Sequence, residues 1–301
     1  MILGRRYEQV APPGLVKITH SPIHPITHLP ITHLPTTQSP ITMNLFFTAL
    51  MFYTRLPVPK HIDHSEDRLN RSTVFFPVIG WIVGGLAVAA LWLGNVLFPL
   101  DLAVLFSIIV SIWVTGAFHE DGFADVCDGF GGGWSKAQIL TIMKDSRLGT
   151  YGFVGLALLL AVKFMCLKTI LETERQFWTV ALIYLSGHSL SRFMAITVIR
   201  ALPYAREDAE SKVKPIAKGI ETGPFWMAAA LGLLPPALLI GLTGFWIYGL
   251  FLLPTWLART YLVRLYRRWL NGYTGDGLGA VQQLTEVVWY LSFVSLKWVT
   301  L

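Results

Sequence analysis

Four acidic residues crowd into the ten positions 119–128 (HEDGFADVCD), although the whole chain of 301 residues holds only 18. Asp121, Asp125 and Asp128 are spaced i, i+4 and i+7, so a helix would place them on one face. Like charges at this spacing repel each other, and the face therefore calls for a cation. Oxygen ligands without a His–Cys pattern suit Mg²⁺, with Mn²⁺ as a substitute, and bound Mg²⁺ usually also contacts substrate phosphates. The segment predicts a site for a pyrophosphate-bearing substrate, against the alternative of a solvated acidic loop at a helix end.

Neighbouring residues could complete such a site. His119 could act as a general base or orient a carboxylate, or could simply be an interfacial histidine. The glycine-rich turn 129–133 could cradle phosphate with its free N–H groups, and Ser135 is expected to cap a short helix after it. Lys144 and Arg147 are candidate phosphate clamps, although ordinary membrane-flanking cations would look the same.

A third polar cluster lies near the C-terminus, in the glycine-rich segment 271–286. It contains Thr274 and Asp276, and Gln282 and Glu286 follow at i and i+4 on the next predicted helix. This segment could be a surface loop. Because it falls on the same predicted side of the membrane as 119–151, it can also contribute to one site.

The composition indicates a membrane protein. Apolar residues make up 53% of the chain and charged residues only 14%, about half of what soluble domains carry. This excludes both a solvated globule and a disordered chain. The fold class is therefore all-α, a polytopic membrane bundle of about seven transmembrane helices (six to eight), preceded by a short interfacial helix. The interfacial helix is expected at 45–54, and the spans at about 74–98, 101–118, 152–171, 177–198, 224–243, 244–260 and 287–301.

The charge distribution predicts the orientation. The net charge of +6 could indicate nucleic acid binding, but the cations sit in the loops between apolar blocks. The loops 44–73, 119–151, 199–223 and 259–286 together hold 16 Lys and Arg, whereas the intervening turns hold only Arg175. By the positive-inside rule these four loops face the cytoplasm. We expect a multi-pass protein of the cell inner membrane that does not bind nucleic acid. Arg192 and His188 lie one turn apart at membrane depth, where a charge is costly and faces the protein interior.

The N-terminal region differs from the rest. Residues 1–42 are rich in Pro, His and Thr and contain the unit ITHLP twice. Proline at this density opposes helix formation, so we expect a disordered extension. An alternative is that translation starts at Met43, where the apolar pattern begins. The expected organisation is this extension followed by a single membrane-embedded catalytic domain, 43–301.

The polar clusters resemble the cobalamin synthase family over about 43–301. The first motif has the family pattern H-x-D-G-x-A-D-x-x-D-G and is highly specific together with MKDSR behind it. One departure is the stretch after Arg206, which lacks the glycines expected there. The residues that carry the resemblance are His119, Asp121-Gly122, Ala124-Asp125, Asp128-Gly129, Met143 to Arg147, Gly149, Gly152, Thr274 to Asp276, Leu278 to Ala280 and Gln282, with further matches at Thr54 to Pro59, Phe76-Pro77, Gly80 and Leu202 to Arg206.

The resemblance implies a transferase of the last steps of cobalamin (vitamin B12) biosynthesis. The family joins adenosylcobinamide-GDP to α-ribazole, or to its 5′-phosphate, with release of GMP and a need for Mg²⁺. Association with other enzymes of corrinoid assembly is also expected. Carried over to this chain, Asp121, Asp125 and Asp128 would hold Mg²⁺ with Asp145 as a fourth ligand, and His119 or a carboxylate would accept the proton of the attacking hydroxyl. The expected substrate-binding and phosphate-binding residues are Lys144, Asp145, Ser146, Arg147, Arg55, Arg206, Thr274, Asp276 and Gln282.

Two other functions fit parts of the pattern. A CDP-alcohol phosphotransferase also displaces a nucleoside monophosphate with carboxylates at helical spacing, but this chain has Asp125 where that family has an arginine and lacks its second D-x-x-x-D run. A cation transporter would need acidic residues facing each other near mid-span, and the predicted spans contain almost none.

Overall fold

The computed structural model describes residues 41–59, 62, 65–206 and 219–300. Apart from two short 3₁₀ segments and one isolated bridge between Tyr204 and Tyr273, the regular structure of these residues is α-helical. The all-α fold is therefore confirmed. The helices are α1 (Ile41–Tyr53), α2 (Glu66–Ser72), α3 (Phe76–Leu97), α4 (Leu100–Thr115), α5 (Phe118–Gly132), α6 (Lys136–Ile142), α7 (Thr150–Thr173), α8 (Phe177–Ala201), α9 (Thr222–Thr243), α10 (Leu252–Leu270) and α11 (Gly275–Thr300).

Two predicted features fall largely on residues outside this set. The expected extension 1–42 lies outside the described residues except for its last two positions, which belong to α1. Its disorder and the alternative start at Met43 stay predictions. The loop after Arg206, where the family pattern is not matched, also lies outside the described residues.

The apolar helices support a polytopic membrane protein. Among the described residues, four helical stretches are long and apolar enough to cross a bilayer: Glu66–Leu97, Thr150–Thr173, Phe177–Ala201 and Thr222–Thr243. A fifth candidate is the bent pair α4 and α5. The count is lower than the seven predicted because the other helices are short or polar. In particular, α4 has only 16 residues, α10 carries Arg259, Arg264, Arg267 and Arg268, and α11 carries Asp276 and Glu286.

A sharp bend separates α4 from α5. The acidic motif follows the predicted span 101–118 directly in the sequence, but the helix does not continue straight from one into the other. Gly116 and Ala117 both have positive φ angles, 68° and 61°, and the two helix axes meet at 89°. A left-handed conformation is natural for glycine and costs about 1 kcal/mol for alanine. The acidic motif therefore forms a helix of its own.

The core of the bundle is α8. Every residue from Ser186 to Ile199 is buried, and α8 packs against α3, α9 and α11. In turn, α11 packs against α5, α7 and α10. The helices that carry the first and third polar clusters of the sequence, α5 and α11, are thus direct neighbours.

Candidate active site

Two glycines let α5 and α11 approach closely. A Cβ atom added at Gly122 would lie 2.9 Å from both the Cα and the carbonyl oxygen of Asp276. A Cβ atom at Gly279 would lie 3.2 Å from the carbonyl oxygen of His119. A side chain at Gly122 would force the two backbones apart, and one at Gly279 would be a tight fit. The contact brings Asp276 beside the three aspartates of α5.

The acid cluster consists of Asp121, Asp125, Asp128 and Asp276. The charge of Asp125 interacts with those of the other three, and Arg206 is the cation that acts on it. Arg206 donates a hydrogen bond of 2.7 Å to Asp276. Burial raises the pKa of Asp276, Arg206 opposes this rise, and Asp121 adds to it. The cluster thus holds more negative charge than one arginine neutralises.

Asp128 has a structural role in addition to any ligand role. Its carboxylate accepts hydrogen bonds from the backbone N–H groups of Gly149 (2.7 Å) and Gly152 (2.8 Å). These groups lie at the start of α7, where N–H groups have no partner within the helix. Asp128 therefore caps α7 and joins it to α5. Of the three aspartates on this face, Asp121 is exposed and Asp125 is half-buried, so both are more accessible than Asp128.

The donor set of the cluster fits a hard divalent cation. Within the described residues, no three His, Cys, Asp or Glu side chains already stand in the arrangement of a metal site. Mg²⁺ does not require one, because it commonly binds through one or two carboxylates together with waters and substrate phosphates. Asp121 and Asp125 supply oxygen donors of this kind, and Asp276 lies next to them.

The segment after α6 carries exposed charges. Lys144, Asp145, Ser146 and Arg147 are all exposed. Arg147 donates hydrogen bonds of 2.6–3.1 Å to Asp145 and holds the pKa of that carboxyl down at about 2. In this arrangement Asp145 has an arginine as its partner rather than the acid cluster, so its role as a fourth metal ligand stays a prediction.

Other predicted site residues lie elsewhere. Arg55 is exposed and its side chain covers Gly116 at the bend between α4 and α5. Thr274 is fully buried, and its hydroxyl accepts a hydrogen bond of 3.0 Å from Gly277 at the start of α11. His119 is also buried, between the rings of Phe76 and Phe118. On the helical wheel of α5, His119 points away from the three aspartates. None of these placements tests a role in binding or catalysis.

Gln282 belongs to a second polar group, inside the bundle. It donates hydrogen bonds to Glu286 (2.6 Å) and Ser191 (3.2 Å). Lys163 forms an ion pair of 2.7 Å with Glu286, and His188 lies 3.4 Å from the same carboxylate. We call this the buried polar network, and it also includes Arg192, which donates to the backbone carbonyl of His188 at 2.8 Å. A neighbouring pair, Glu120 and Gln283, joins α5 to α11 at 2.8 Å.

The sequence pointed to four members of this network, Gln282, Glu286, His188 and Arg192, but not to Lys163 and Ser191, nor to the neighbouring Glu120. Lys163 is 2% exposed, in the middle of the apolar helix α7. A lysine within an otherwise apolar span was the available signal, because such a charge must find a partner inside the protein. Glu120 lies between His119 and Asp121 in the sequence. It is buried on the face of α5 that packs against α11, where Gln283 donates to it.

The fold and this geometry define a polytopic membrane protein with a carboxylate cluster at one end of its helical bundle. The family model described as "Cobalamin-5-phosphate synthase" matches residues 45–294. The chain belongs to this family, which confirms the resemblance found from its motifs. The match contains both the acid cluster and the buried polar network.

The names of curated relatives agree with this family assignment. The adenosylcobinamide-GDP ribazoletransferase of Shewanella frigidimarina is 39% identical over 84% of this chain and 95% of the relative. Proteins of the same name from Leptospira interrogans (38% identical over 85% of this chain and 96% of the relative) and Leptothrix cholodnii (40% identical over 84% and 96%) are similar over comparable lengths. No solved structure matches the chain.

Proposed function

We propose that this protein is an adenosylcobinamide-GDP ribazoletransferase. It would join adenosylcobinamide-GDP to α-ribazole, or to its 5′-phosphate, and release GMP. The observation that carries the proposal is the acid cluster of α5 and α11, which lies within the segment matched by the family model. A phosphoryl transfer needs positioning and charge stabilisation more than covalent chemistry, and this cluster provides carboxylates that could hold a cation for these purposes.

Mg²⁺ is proposed as the cofactor, held by Asp121 and Asp125 with Asp276 beside them. When bound, the ion would offset the negative charge of the diphosphate. The excess of carboxylates over cations in the cluster supports this assignment. Both carboxylate oxygens of Asp128 accept hydrogen bonds from N–H groups at the N-terminus of α7, so Asp128 would act mainly by fixing the position of α5.

In the proposed reaction a ribose hydroxyl attacks the phosphoryl group attached to the cobinamide arm. The new P–O bond forms, the bond to GMP breaks, and the hydroxyl proton passes to a carboxylate. A carboxylate of the cluster is favoured over His119 as the acceptor, because the cluster lies on the accessible face of α5 whereas His119 points into the protein. Arg147 is exposed and could exchange Asp145 for a phosphate oxygen.

The protein is proposed to lie in the cell inner membrane with this site facing the cytoplasm. The start of α7, the start of α11 and Arg206 lie at the acid cluster, so they share one end of the bundle. Arg206 and Gly149, which belong to two of the cation-rich loops of the sequence, lie at this end. The positive-inside rule supports placing it on the cytoplasmic side.

The test is to supply purified protein in lipid nanodiscs with one substrate pair at a time. Adenosylcobinamide-GDP with α-ribazole should release GMP in the presence of Mg²⁺ and none after chelation. A CDP-alcohol with an alcohol acceptor should release no CMP. The variant Asp121→Asn should lose GMP release, whereas Asp101→Asn should keep it, because Asp101 pairs with Lys168 at the other end of the bundle. CMP release, or full activity of Asp121→Asn, would refute the proposal.

A further inference from the structure

A lateral groove opens between α8, α9 and α10 and shares no lining residue with the acid cluster. Its cavity has a volume of about 390 Å³. Most of its walls are apolar or aromatic, and two arginines, Arg200 and Arg259, lie among them. The residues that line it are Phe193, Thr197, Arg200, Ala201, Phe225, Trp226, Ala229, Leu233, Trp256 and Arg259.

Arg259 is built into the wall of this groove. It is 7% exposed, and its Nε and one terminal nitrogen donate to the hydroxyl (2.7 Å) and carbonyl (2.6 Å) of Thr197. Its guanidinium lies 4.7 Å from the centre of the Trp256 ring. A guanidinium has five N–H donors, so others stay available to a ligand. Within the described residues no carboxylate forms an ion pair with Arg259.

Arg200 lies at the opening of the groove. It follows Thr197 by about one turn of α8, in the direction of the end of the bundle that carries the acid cluster. It stacks at 5.2 Å on the Phe225 ring and makes long hydrogen bonds of 3.4–3.5 Å to Ile220 and Thr222. Like Arg259, it has no acidic partner in the part of the chain that the structure describes. The groove therefore holds two positive charges near one end of the bundle.

The remaining lining residues of the groove belong to the same three helices and are apolar or aromatic. Leu233 and Phe193 lie further from that end, and Trp226 is 66% exposed. An apolar channel that begins at two arginines has the polarity of a phospholipid, with a charged head group at the surface and acyl chains below it. A soluble anion would leave the apolar walls uncovered, and an uncharged lipid would leave the arginines without a counter-charge.

We propose that this groove binds one anionic phospholipid of the leaflet that faces the acid cluster. Its phosphate would lie between Arg200 and Arg259, and its acyl chains would cover the apolar walls of α8, α9 and α10. The proposal does not depend on the reaction catalysed at the acid cluster. Cationic side chains near a membrane surface each attract anionic lipids, which gives the direction of the expected selectivity.

The full chain would be placed in vesicles of equal amounts of phosphatidylcholine and phosphatidylglycerol and then released in mild detergent. Native mass spectrometry would measure the ratio of the two lipids that stay bound. We expect phosphatidylglycerol to be enriched in the wild type. The variants Arg200→Gln and Arg259→Gln should each lower the enrichment about fivefold, the equivalent of about 1 kcal/mol.

The matched control is Arg264→Gln, which removes the same charge from an exposed position on α10 outside the groove. It should keep the enrichment of the wild type. Equal losses in all three variants would mean general surface attraction and would overturn the proposal, as would equal retention of both lipids by the wild type. If Arg259→Gln fails to fold, the exposed Arg200→Gln decides the question alone.

Discussion

The acid cluster and the buried polar network are built from the same kinds of side chains and differ in charge balance. In the cluster, four carboxylates face one arginine, and Asp121 is exposed. In the network, Glu286 is fully buried and meets Lys163 at 2.7 Å. A buried charge is stable only when an opposite charge pairs with it, whereas a charge that water can reach is stable without a partner and stays free to bind a ligand. This difference supports the proposal that the cluster binds a cation, whereas the ion pair of the network joins α7 to α11.

The largest expected effect separates the two regions by activity. Asp125→Asn should lower kcat by about 10²–10³-fold, because it removes a carboxylate proposed to hold Mg²⁺ at the reacting phosphate. Thermal stability should stay equal or rise slightly, because repulsion within the cluster falls. Turnover and thermal unfolding of the same preparation check this, with Asp101→Asn as the control. A parallel loss of stability would show that Asp125 is structural.

The network should show the reverse pattern. Glu286→Gln leaves the buried Lys163 without a counter-charge and should cost about 3–5 kcal/mol of stability. The double variant Lys163→Met with Glu286→Met removes both charges and should recover most of this loss. Thermal unfolding in one detergent compares the variants. If Glu286→Gln abolishes turnover at unchanged stability, the network takes part in the chemistry.

The contact between α5 and α11 should matter for activity at an intermediate level. In Gly122→Ala the new methyl group meets the backbone of Asp276 at 2.9 Å, so the two helices must move apart. A shift of this size should lower turnover about 10–100-fold. Gly85→Ala is the matched control, since a Cβ there meets nothing within 4 Å. Equal activities of the two variants would argue that Asp276 lies outside the site.

A smaller effect is expected at the cap of α7. Asp128→Asn replaces one acceptor oxygen with a donor that faces the N–H groups of Gly149 and Gly152, and should cost about 1 kcal/mol of stability. The Mg²⁺ concentration needed for half-maximal activity should change little. A large increase in that concentration would instead show that Asp128 is a metal ligand.

The smallest expected effect is a shift in pH dependence. Arg206 lowers the pKa of Asp276, so Arg206→Gln should raise that pKa further. A protonated carboxyl binds a cation poorly. The acid limb of the pH–activity profile should therefore move to higher pH, by about one unit. Arg206→Lys keeps the charge and should restore most of the profile, whereas an unchanged limb in Arg206→Gln would exclude Asp276 from the site.

Several local features were predictable because they depend on near neighbours in the chain. Ser135 caps α6 as expected, with its hydroxyl accepting from the Gln138 N–H at 3.3 Å. The helical spacing of Asp121, Asp125 and Asp128 is confirmed as well, since all three lie in α5. The bend before α5 was missed because it depends on the left-handed Ala117, a conformation that alanine does not signal.

The sequence by itself determined the membrane class, the family and the acidic face, because hydrophobicity and spacing along a helix are local properties. Only the tertiary structure decided which polar residues meet. Asp276 lies against Gly122 of α5, and Gln282 and Lys163 both contact the buried Glu286. In each case the residues brought together from two helices are more than a hundred positions apart along the chain. Such pairings depend on which helix faces pack together, and the periodicity of a single helix does not contain that information.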